Sequence, residues 1–301
     1  MKRLFWRLSP EMVFCLAIAG MGLGSVGCSD PNNSVPAGAP VLTSWSVVDN
    51  LTFGPVDLTA DGGLVPISGF VHLNALFDRL LDGSAVTTLD GGVDQGTDAI
   101  AIDVTPALPA NSDFSVSTIY TPNGDNNLHL FYAPGPSLAT TAMPTFPSGS
   151  TITATMSKAK VRSKKGEPFT GDGDLGAGKL MFQTLPFSVV VGVPMGDADP
   201  DAGADAGPPP VSPMMQAVTL AFTNLPAANI QDSITVTVNG ATYTSFTVAP
   251  DMKNPTIIDV APATTWPANA TIVVRVGAAA TDAVGVAINA AQSGTFTTSG
   301  M

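Results

Sequence analysis

Two segments, FPSGSTITATM at residues 146–156 and WPANATIVVRV at residues 266–276, decide the fold of this chain. Each begins with an aromatic residue and a proline, passes through a short turn and then reaches Thr-Ile at the start of a β-rich run. Gly149 and Asn269 occupy the same place in the two turns, and both residue types accept a left-handed backbone. The two segments therefore predict the same local structure twice, a tight turn that leads into a β-strand.

The correspondence extends outward from these segments with its order preserved. Downstream, KKGEPF at 164–169 matches AVGVAI at 283–288, and Phe-x-Thr at 182–184 matches Phe-x-Thr at 296–298. Upstream, LFDRL at 76–80 matches AFTNL at 221–225, and YAP at 132–134 matches VAP at 260–262. We interpret the chain as two copies of one domain. Residues 90–125 of the first copy have no clear counterpart in the second.

The composition favours strands and turns over helices. Glu11 and Glu167 are the only glutamates among 24 acidic residues, whereas the chain holds 30 Gly and 26 Pro. Short β-rich runs, most of them bounded by Gly, Pro, Asn or Asp, lie at 71–73, 76–77, 151–156, 180–184, 218–222, 233–238, 256–260 and 271–276. Regular short strands without a helical period predict an all-β chain built from antiparallel sandwiches.

Two polar, proline-rich segments suggest the domain limits. Residues 29–40 (SDPNNSVPAGAP) are typical of a flexible tether, and residues 196–213 (GDADPDAGADAGPPPVSP) are typical of an interdomain linker. We predict a signal peptide at 1–27, a tether at 28–40, a first domain at 41–193, an acidic proline-rich linker at 194–210 and a second domain at 211–301.

The linker also has the first part of a calcium-loop spacing. Asp197, Asp199 and Asp201 stand where three ligands of such a loop would lie, but Ala202 replaces the required glycine and Pro208 replaces the bidentate glutamate. A solvated acidic spacer is the simpler interpretation, and whether this segment binds calcium stays open.

Several of these motifs together resemble the bacterial Ig-like domains named after the S-layer protein SbsA. They are Val218-x-Leu-x-Phe222, the Trp266-Pro267 turn, Asp282-Ala-Val-Gly285 and the terminal Gly-Thr-Phe-Thr-Thr. The resemblance covers nearly all of the second half and the outer parts of the first. It implies two tandem Ig-like Greek-key β-sandwiches that act as a spacer, an adhesive module or an accessory module.

The first thirty residues are typical of an export signal. Lys2, Arg3 and Arg7 precede an apolar stretch at 12–27, which is shorter than the roughly 20 residues that span a bilayer as a helix. Ser25-Val26-Gly27-Cys28 resembles the lipobox of bacterial lipoproteins, although Ser25 stands where Leu is usual.

That resemblance implies acylation of Cys28. Cys15 lies inside the signal, so the mature chain would keep Cys28 alone and could form no internal disulfide. The alternative is an ordinary cleaved signal with Cys28 as a free thiol. We expect an exported monomer that is lipid-anchored to the cell envelope at the outer membrane.

The charge of the chain limits its partners. A formal net charge of −12 opposes nucleic-acid binding by the protein as a whole. The exception is SKAKVRSKK at 157–165, where basic residues recur at every second position. In a strand, Lys158, Lys160, Arg162 and Lys164 would share one face, and Lys165 adds a fifth charge. The pattern predicts either a ridge that binds an anionic polymer or a charged edge strand that resists aggregation.

Other candidate motifs indicate no catalytic chemistry. The stretch GDGDLGAGKL at 171–180 lacks the Ser or Thr that a phosphate-binding loop needs after its lysine. His72 and His129 have no obvious partner ligands, and no serine-nucleophile motif is present. Tyr120, beside a predicted turn, is a candidate aromatic contact for a sugar or else a plug at the end of a sandwich. We expect no enzyme activity, no cofactor and no metal, with an envelope protein or a polysaccharide as the partner.

Overall fold

The computed structural model describes residues 38–60, 63–82, 99–108, 114–121, 127–134, 145–194 and 216–300. Their regular secondary structure is almost all β-strand, which confirms the all-β sandwich prediction. The first half contains β1 (Leu42–Asp49), β2 (Thr59–Ala60), β3 (Gly63–Leu64), β4 (Pro66–Ile67), β5 (Val71–Phe77), β6 (Ile100–Thr105), β7 (Phe114–Thr121), β8 (Asn127–Pro134), β9 (Thr151–Met156) and β10 (Lys179–Thr184), with a one-turn helix α1 (Gly173–Ala177). The second contains β11 (Val189–Gly192), β12 (Val218–Phe222), β13 (Ile234–Val238), β14 (Ala241–Tyr243), β15 (Phe246–Pro250), β16 (Ile257–Pro262), β17 (Thr271–Val276) and β18 (Gln292–Thr297), with a 3₁₀ turn at Ile230–Ser233.

Each half is a pair of four-stranded sheets. The first sandwich has the orders β1-β5-β8-β7 and β4-β10-β9-β6, and the second has β11-β12-β16-β15 and β14-β13-β17-β18. If the main strands of each sandwich are lettered A to G in chain order, one sheet contains A, B, E and D and the other contains C, F and G. This is the Ig arrangement. In the first sandwich β4 runs parallel to the last strand, β10.

Alternation along the strands builds the two cores. In β9 every second residue, Ile152, Ala154 and Met156, is buried, and β17 does the same with Ile272, Val274 and Val276. An aromatic pair fills each core next to the turn. The rings of Phe146 and Phe182 meet edge to face at 5.0 Å in the first sandwich, and those of Trp266 and Phe296 meet at 5.6 Å in the second.

The two turns are built alike. Gly149 has φ 64° and Asn269 has φ 51°, so both adopt the left-handed conformation that the sequence predicts. The threonine that closes each sandwich then bonds to its turn. Thr184 Oγ1 donates to the carbonyl of Pro147 at 2.6 Å and accepts the N–H of Ser150, and Thr298 Oγ1 makes the same two bonds to Pro267 and Ala270.

The hydrogen bonds also show where the second sandwich begins. The N–H of Thr170 donates to Pro40 at the start of the first sandwich, and the N–H of Asn289 donates to Phe187 at the equivalent place in the second. Strand β11 pairs antiparallel with β12, and Phe187 is buried in the second core. Strand β11 is therefore the counterpart of β1.

This arrangement moves the domain boundary. The sequence prediction ended the first domain at residue 193, but Leu185 and Pro186 alone connect Thr184 of the first sandwich to Phe187 of the second. The predicted linker lies mostly outside the described residues. Because it joins β11 to β12, which are neighbours in one sheet, it is a connection within the second sandwich rather than between two domains.

We predict that Thr298→Val destabilises the protein by about 2 kcal/mol, because it leaves the buried N–H of Ala270 and the carbonyl of Pro267 without a side-chain partner. Urea unfolding measures the loss. Thr297→Val is the matched control, since Thr297 is the exposed neighbour on the same strand and valine suits a strand position. Equal stability of the two variants would contradict the role of the Thr298 hydroxyl.

Candidate functional site

Three of the predicted features lie wholly or partly outside the described residues. Cys28 and the aspartates at 197, 199 and 201 are outside them. Tyr120 lies near the end of β7, paired with Leu128 of β8, next to the hairpin connection that the sequence predicts. Their proposed roles stay predictions.

The basic segment 157–165, which we call the basic loop, is not a strand. Strand β9 ends at Met156, and the chain then turns, with the N–H groups of Lys160 and Val161 both donating to the carbonyl of Ser157. Ala159 is exposed, whereas Val161 and Ser163 are buried. The prediction that Lys158, Lys160, Arg162 and Lys164 line one face of a strand is therefore wrong. The chain leaves the sheet here because the Val161 side chain packs into the core of the first sandwich.

The second part of the basic loop is a tight hairpin. The N–H of Phe169 donates to the carbonyl of Val161, and the N–H of Ser163 donates to that of Glu167. The Ser163 hydroxyl oxygen accepts the N–H groups of Lys165 and Glu167, and Gly166 takes φ 84° at the tip. Lys164 and Lys165 are exposed on this tip. A rigid hairpin thus presents two adjacent lysines to solvent.

Two other basic side chains of the loop, those of Lys158 and Arg162, contact the sandwich. Lys158 Nζ lies 5.5 Å from the centre of the Phe169 ring, a cation–π distance. Arg162 is partly buried, with its Nε 3.9 Å from a carboxyl oxygen of Asp82. The loop therefore combines fixed charges at its base with exposed charges at its tip.

Two more basic residues lie at the same end of the sandwich. Arg79 follows β5 and bonds to Asp78 at 2.7 Å, and exposed Lys179 begins β10, next to the end of β9. The hydrogen bond from Arg79 lowers the pKa of the Asp78 carboxyl, burial opposes it with a smaller effect, and the hydrogen bond from the N–H of Val41 lowers the pKa further. Asp78 therefore stays ionised to lower pH than a free aspartate, and it fixes the chain at its entry to β1. We call Arg79, Lys179 and the basic loop the basic end.

The opposite end of the first sandwich meets the second through buried polar groups. Asn224 is fully buried. Its Nδ2 donates to the carbonyl of Phe146 and to Ser148 Oγ, both at 2.8 Å, while its Oδ1 accepts the Thr145 hydroxyl at 2.6 Å and the N–H of Leu225. The Asn224 amide group thus forms hydrogen bonds with polar groups of both sandwiches.

Asp282 completes this contact, which we call the junction. Its Oδ2 accepts the N–H of Ser148 at 3.0 Å from the first sandwich, and its Oδ1 accepts the N–H groups of Val284 and Val286 in its own turn. Gly69 is required there, because a Cβ atom at that position would lie 2.4 Å from Asn224 Nδ2. The packing leaves no room for a side chain.

Sequence reasoning found the parts of the junction but not their contact. Asn224 lies in the AFTNL match and Asp282 in the Asp282-Ala-Val-Gly285 turn, and the sequence patterns predict no contact between the two sandwiches for either residue. The sequence signal for the junction was that the two domain copies carry different residues at equivalent positions. The hydrogen-bond pattern places Asn224 where the first copy has Arg79, and Asp282 where it has Ser163.

The described residues contain no cluster of three or more His, Cys, Asp or Glu side chains able to hold a metal. His72 is buried, and its Nδ1 lies 2.6 Å from Asn50 Oδ1. The glycine-rich stretch at 171–180 forms α1 and leads into β10, as a connection to the closing strand would. In the part of the chain that the structure describes, no helix is long and apolar enough to cross a membrane.

Comparisons with known proteins are sparse. No protein-family model matches the chain, and no curated protein matches it. Among solved structures, domains 5–6 of the S-layer protein SbsC are similar at 12% identity, with 86% of this chain and 99% of that chain covered and a TM-score of 0.19. A TM-score this low supports no conclusion about function.

We predict that Asp282→Asn loosens the junction while the second sandwich stays folded. The amide oxygen can still accept the N–H groups of Val284 and Val286, but the new NH₂ would face the N–H of Ser148 and the NH₂ of Asn224, so that donors meet donors. Calorimetry should show one cooperative transition separating into two, with a loss of about 2–3 kcal/mol.

Asp232→Asn is the matched control, because it makes the same chemical change at an exposed site in the second sandwich. A single unshifted transition for Asp282→Asn would show that the junction does not couple the sandwiches.

Proposed function

We propose that this protein is a non-catalytic, lipid-anchored component of the cell envelope, with SbsA-type Ig-like domains, that acts as a structural or adhesive module. The observation that carries the proposal is the junction. Two Ig sandwiches joined by only Leu185 and Pro186, with Asn224 and Asp282 buried between them, make an extended unit with little freedom to bend.

The connection is restrained further by bonds on either side of it. The N–H of Leu185 donates to the carbonyl of Ile67, and its own carbonyl accepts the N–H of Gly149. The carbonyl of Pro186 accepts the Thr223 hydroxyl at 2.8 Å. Both residues of the connection are therefore bonded to a sandwich, which suits a spacer that holds a surface at a fixed distance from its anchor.

The anchor is the lipobox-like sequence that ends at Cys28, ten residues before the first described residue. An acylated cysteine followed by a short polar tether and two sandwiches would give an envelope lipoprotein, which we assign to the outer membrane. Its partner would be an envelope protein or a polysaccharide.

A carbohydrate-binding accessory role is the second candidate, and the exposure of Lys164 and Lys165 on a rigid tip favours it. A glycan array of neutral and acidic polysaccharides separates the two roles. Binding to a defined glycan supports the accessory role, and the absence of binding supports the spacer.

We predict that Cys28→Ser releases the protein from the membrane fraction into the soluble fraction, since the thioether to the lipid can no longer form. Fractionation of cells that express each form measures the release. The intact mass of the mature N-terminal peptide checks the cause, because the unsubstituted chain should begin at Cys28 and carry acyl mass. The matched control is Ser29→Ala, which alters the neighbouring residue and should leave the anchor in place. A Cys28→Ser protein that remains in the membrane fraction would refute the anchor.

A further inference from the structure

The tether enters the first sandwich at its basic end. The N–H of Gly38 donates to a carboxyl oxygen of Glu167 at 3.1 Å, and the N–H of Thr170 donates to the carbonyl of Pro40 at 2.7 Å. The N–H of Val41 donates to Asp78, beside Arg79. The first described residues therefore run between the segment after β5 and the hairpin that carries Lys164 and Lys165.

The junction lies at the other end of the same sandwich. Strand β9 leads from the turn at Gly149, which contacts Leu185, to Met156 and the basic loop. Six residues of strand span about 20 Å. The basic end and the second sandwich are thus on opposite sides of the first core.

The positive charge of the molecule is concentrated at the basic end, away from the second sandwich. Of the 12 Lys and Arg residues, three lie in the N-terminal signal-like stretch, seven form the basic end, and Lys253 and Arg275 lie in the second sandwich. The described acidic residues at the basic end are Asp78, Asp82, Glu167, Asp172 and Asp174. Three of these carboxyl groups are already engaged, with Arg79, with Arg162, and with Gly38 and Ser163. By contrast, Lys164, Lys165 and Lys179 are exposed and form no ion pair within the described residues.

The tether is short enough to bring these lysines to a membrane. Gly38 lies ten positions after Cys28, and a flexible chain of ten residue steps spans roughly 17 Å on average and at most about 35 Å. Electrostatic attraction to a surface acts within a Debye length of about 8–10 Å at physiological salt. An acyl anchor would hold the basic end at a high effective concentration near the lipid headgroups.

We infer that the basic end is a docking surface for the anionic phosphates of the lipid bilayer in which Cys28 is anchored, and that it orients the two sandwiches away from that bilayer. This inference rests on the proposed lipid anchor. The lysines attract the phosphates, while the second sandwich, with Asp232, Asp251, Asp259 and Asp282 against Lys253 and Arg275, is repelled. The anchor supplies attachment, and the lysines supply orientation.

The test uses the native acylated protein in two kinds of vesicle, pure phosphatidylcholine and phosphatidylcholine with phosphatidylglycerol. Amine acetylation followed by mass spectrometry reports the exposure of each lysine. We expect Lys164 and Lys165 to react about threefold more slowly on the phosphatidylglycerol vesicles, because each lysine near an anionic surface gains roughly fivefold in its interaction. Lys253 is the internal control and should react equally on both. In 1 M salt, where the Debye length is about 3 Å, the difference should disappear.

A pair of variants tests the charge itself. Lys179 should also react more slowly on the phosphatidylglycerol vesicles. Lys164→Gln with Lys165→Gln should abolish this protection of Lys179, and Lys253→Gln with Arg275→Gln, which removes the same charge from exposed sites in the second sandwich, should preserve it. Circular dichroism confirms that both variants fold.

The outcomes separate this inference from the proposed function. Equal reactivity of Lys164 and Lys165 on the two kinds of vesicle, with the protein held by its acyl chains, overturns the docking surface and leaves the anchor standing. An unmodified Cys28 overturns both. Stronger protection by soluble alginate than by phosphatidylglycerol assigns the basic end to an acidic polysaccharide and overturns the membrane assignment.

Discussion

The hydroxyl of Thr184 is the contact on which the arrangement of the whole molecule depends. It closes the first sandwich by binding the carbonyl of Pro147 and the N–H of Ser150, and so it sets the shape of the turn between them. That turn presents the carbonyl of Phe146 and the hydroxyl of Ser148, which Asn224 of the second sandwich binds. One intradomain bond therefore prepares the surface on which the next domain packs.

The two copies use the same positions for opposite purposes. At the junction these positions hold Asn224 and Asp282, which are buried and form hydrogen bonds with each other and with groups of the first sandwich. At the corresponding end of the first copy stand Arg79 and Ser163, and the charged side chains remain at the surface. Burying an arginine at a dry interface would cost several kcal/mol, so the first copy is unsuited to receive another sandwich in the same manner. The molecule thus has one end of the first sandwich that packs against the second and one end whose charged side chains remain at the surface.

The sequence was informative wherever backbone conformation limits the choice of residue. Gly149 and Asn269 were placed correctly because few residues tolerate positive φ, and the closing Phe-x-Thr strands followed from their aromatic and hydroxyl pattern. The basic loop misled because alternation of Lys with Ala and Val imitates a strand, whereas the burial of Val161 and Ser163 is a property of the tertiary core. Strand β6 (Ile100–Thr105) was missed as a counterpart of β13, although each pairs with the strand after the repeated turn, because its side chains share no motif with those of β13. The junction was missed because nothing local distinguishes a buried Asn in a turn from an exposed one, and only the comparison of Asn224 with Arg79 in the other copy carries a signal.

The acidic segment is placed where a change in its length would not alter how the two sandwiches are arranged. Its flanking strands β11 and β12 pair with each other from Val189 and Phe222 to Gly192 and Thr219, so the segment between them is a loop whose two ends are held together. For such a loop, closure entropy rises slowly, at about 0.6 kcal/mol for each doubling of length. Residues can be inserted into it or lost from it at little cost to stability, and the distance between the two sandwiches would not change, because the Leu185–Pro186 connection and the junction set it. The segment whose length can change therefore lies away from the connection between the sandwiches, and that connection is only two residues long.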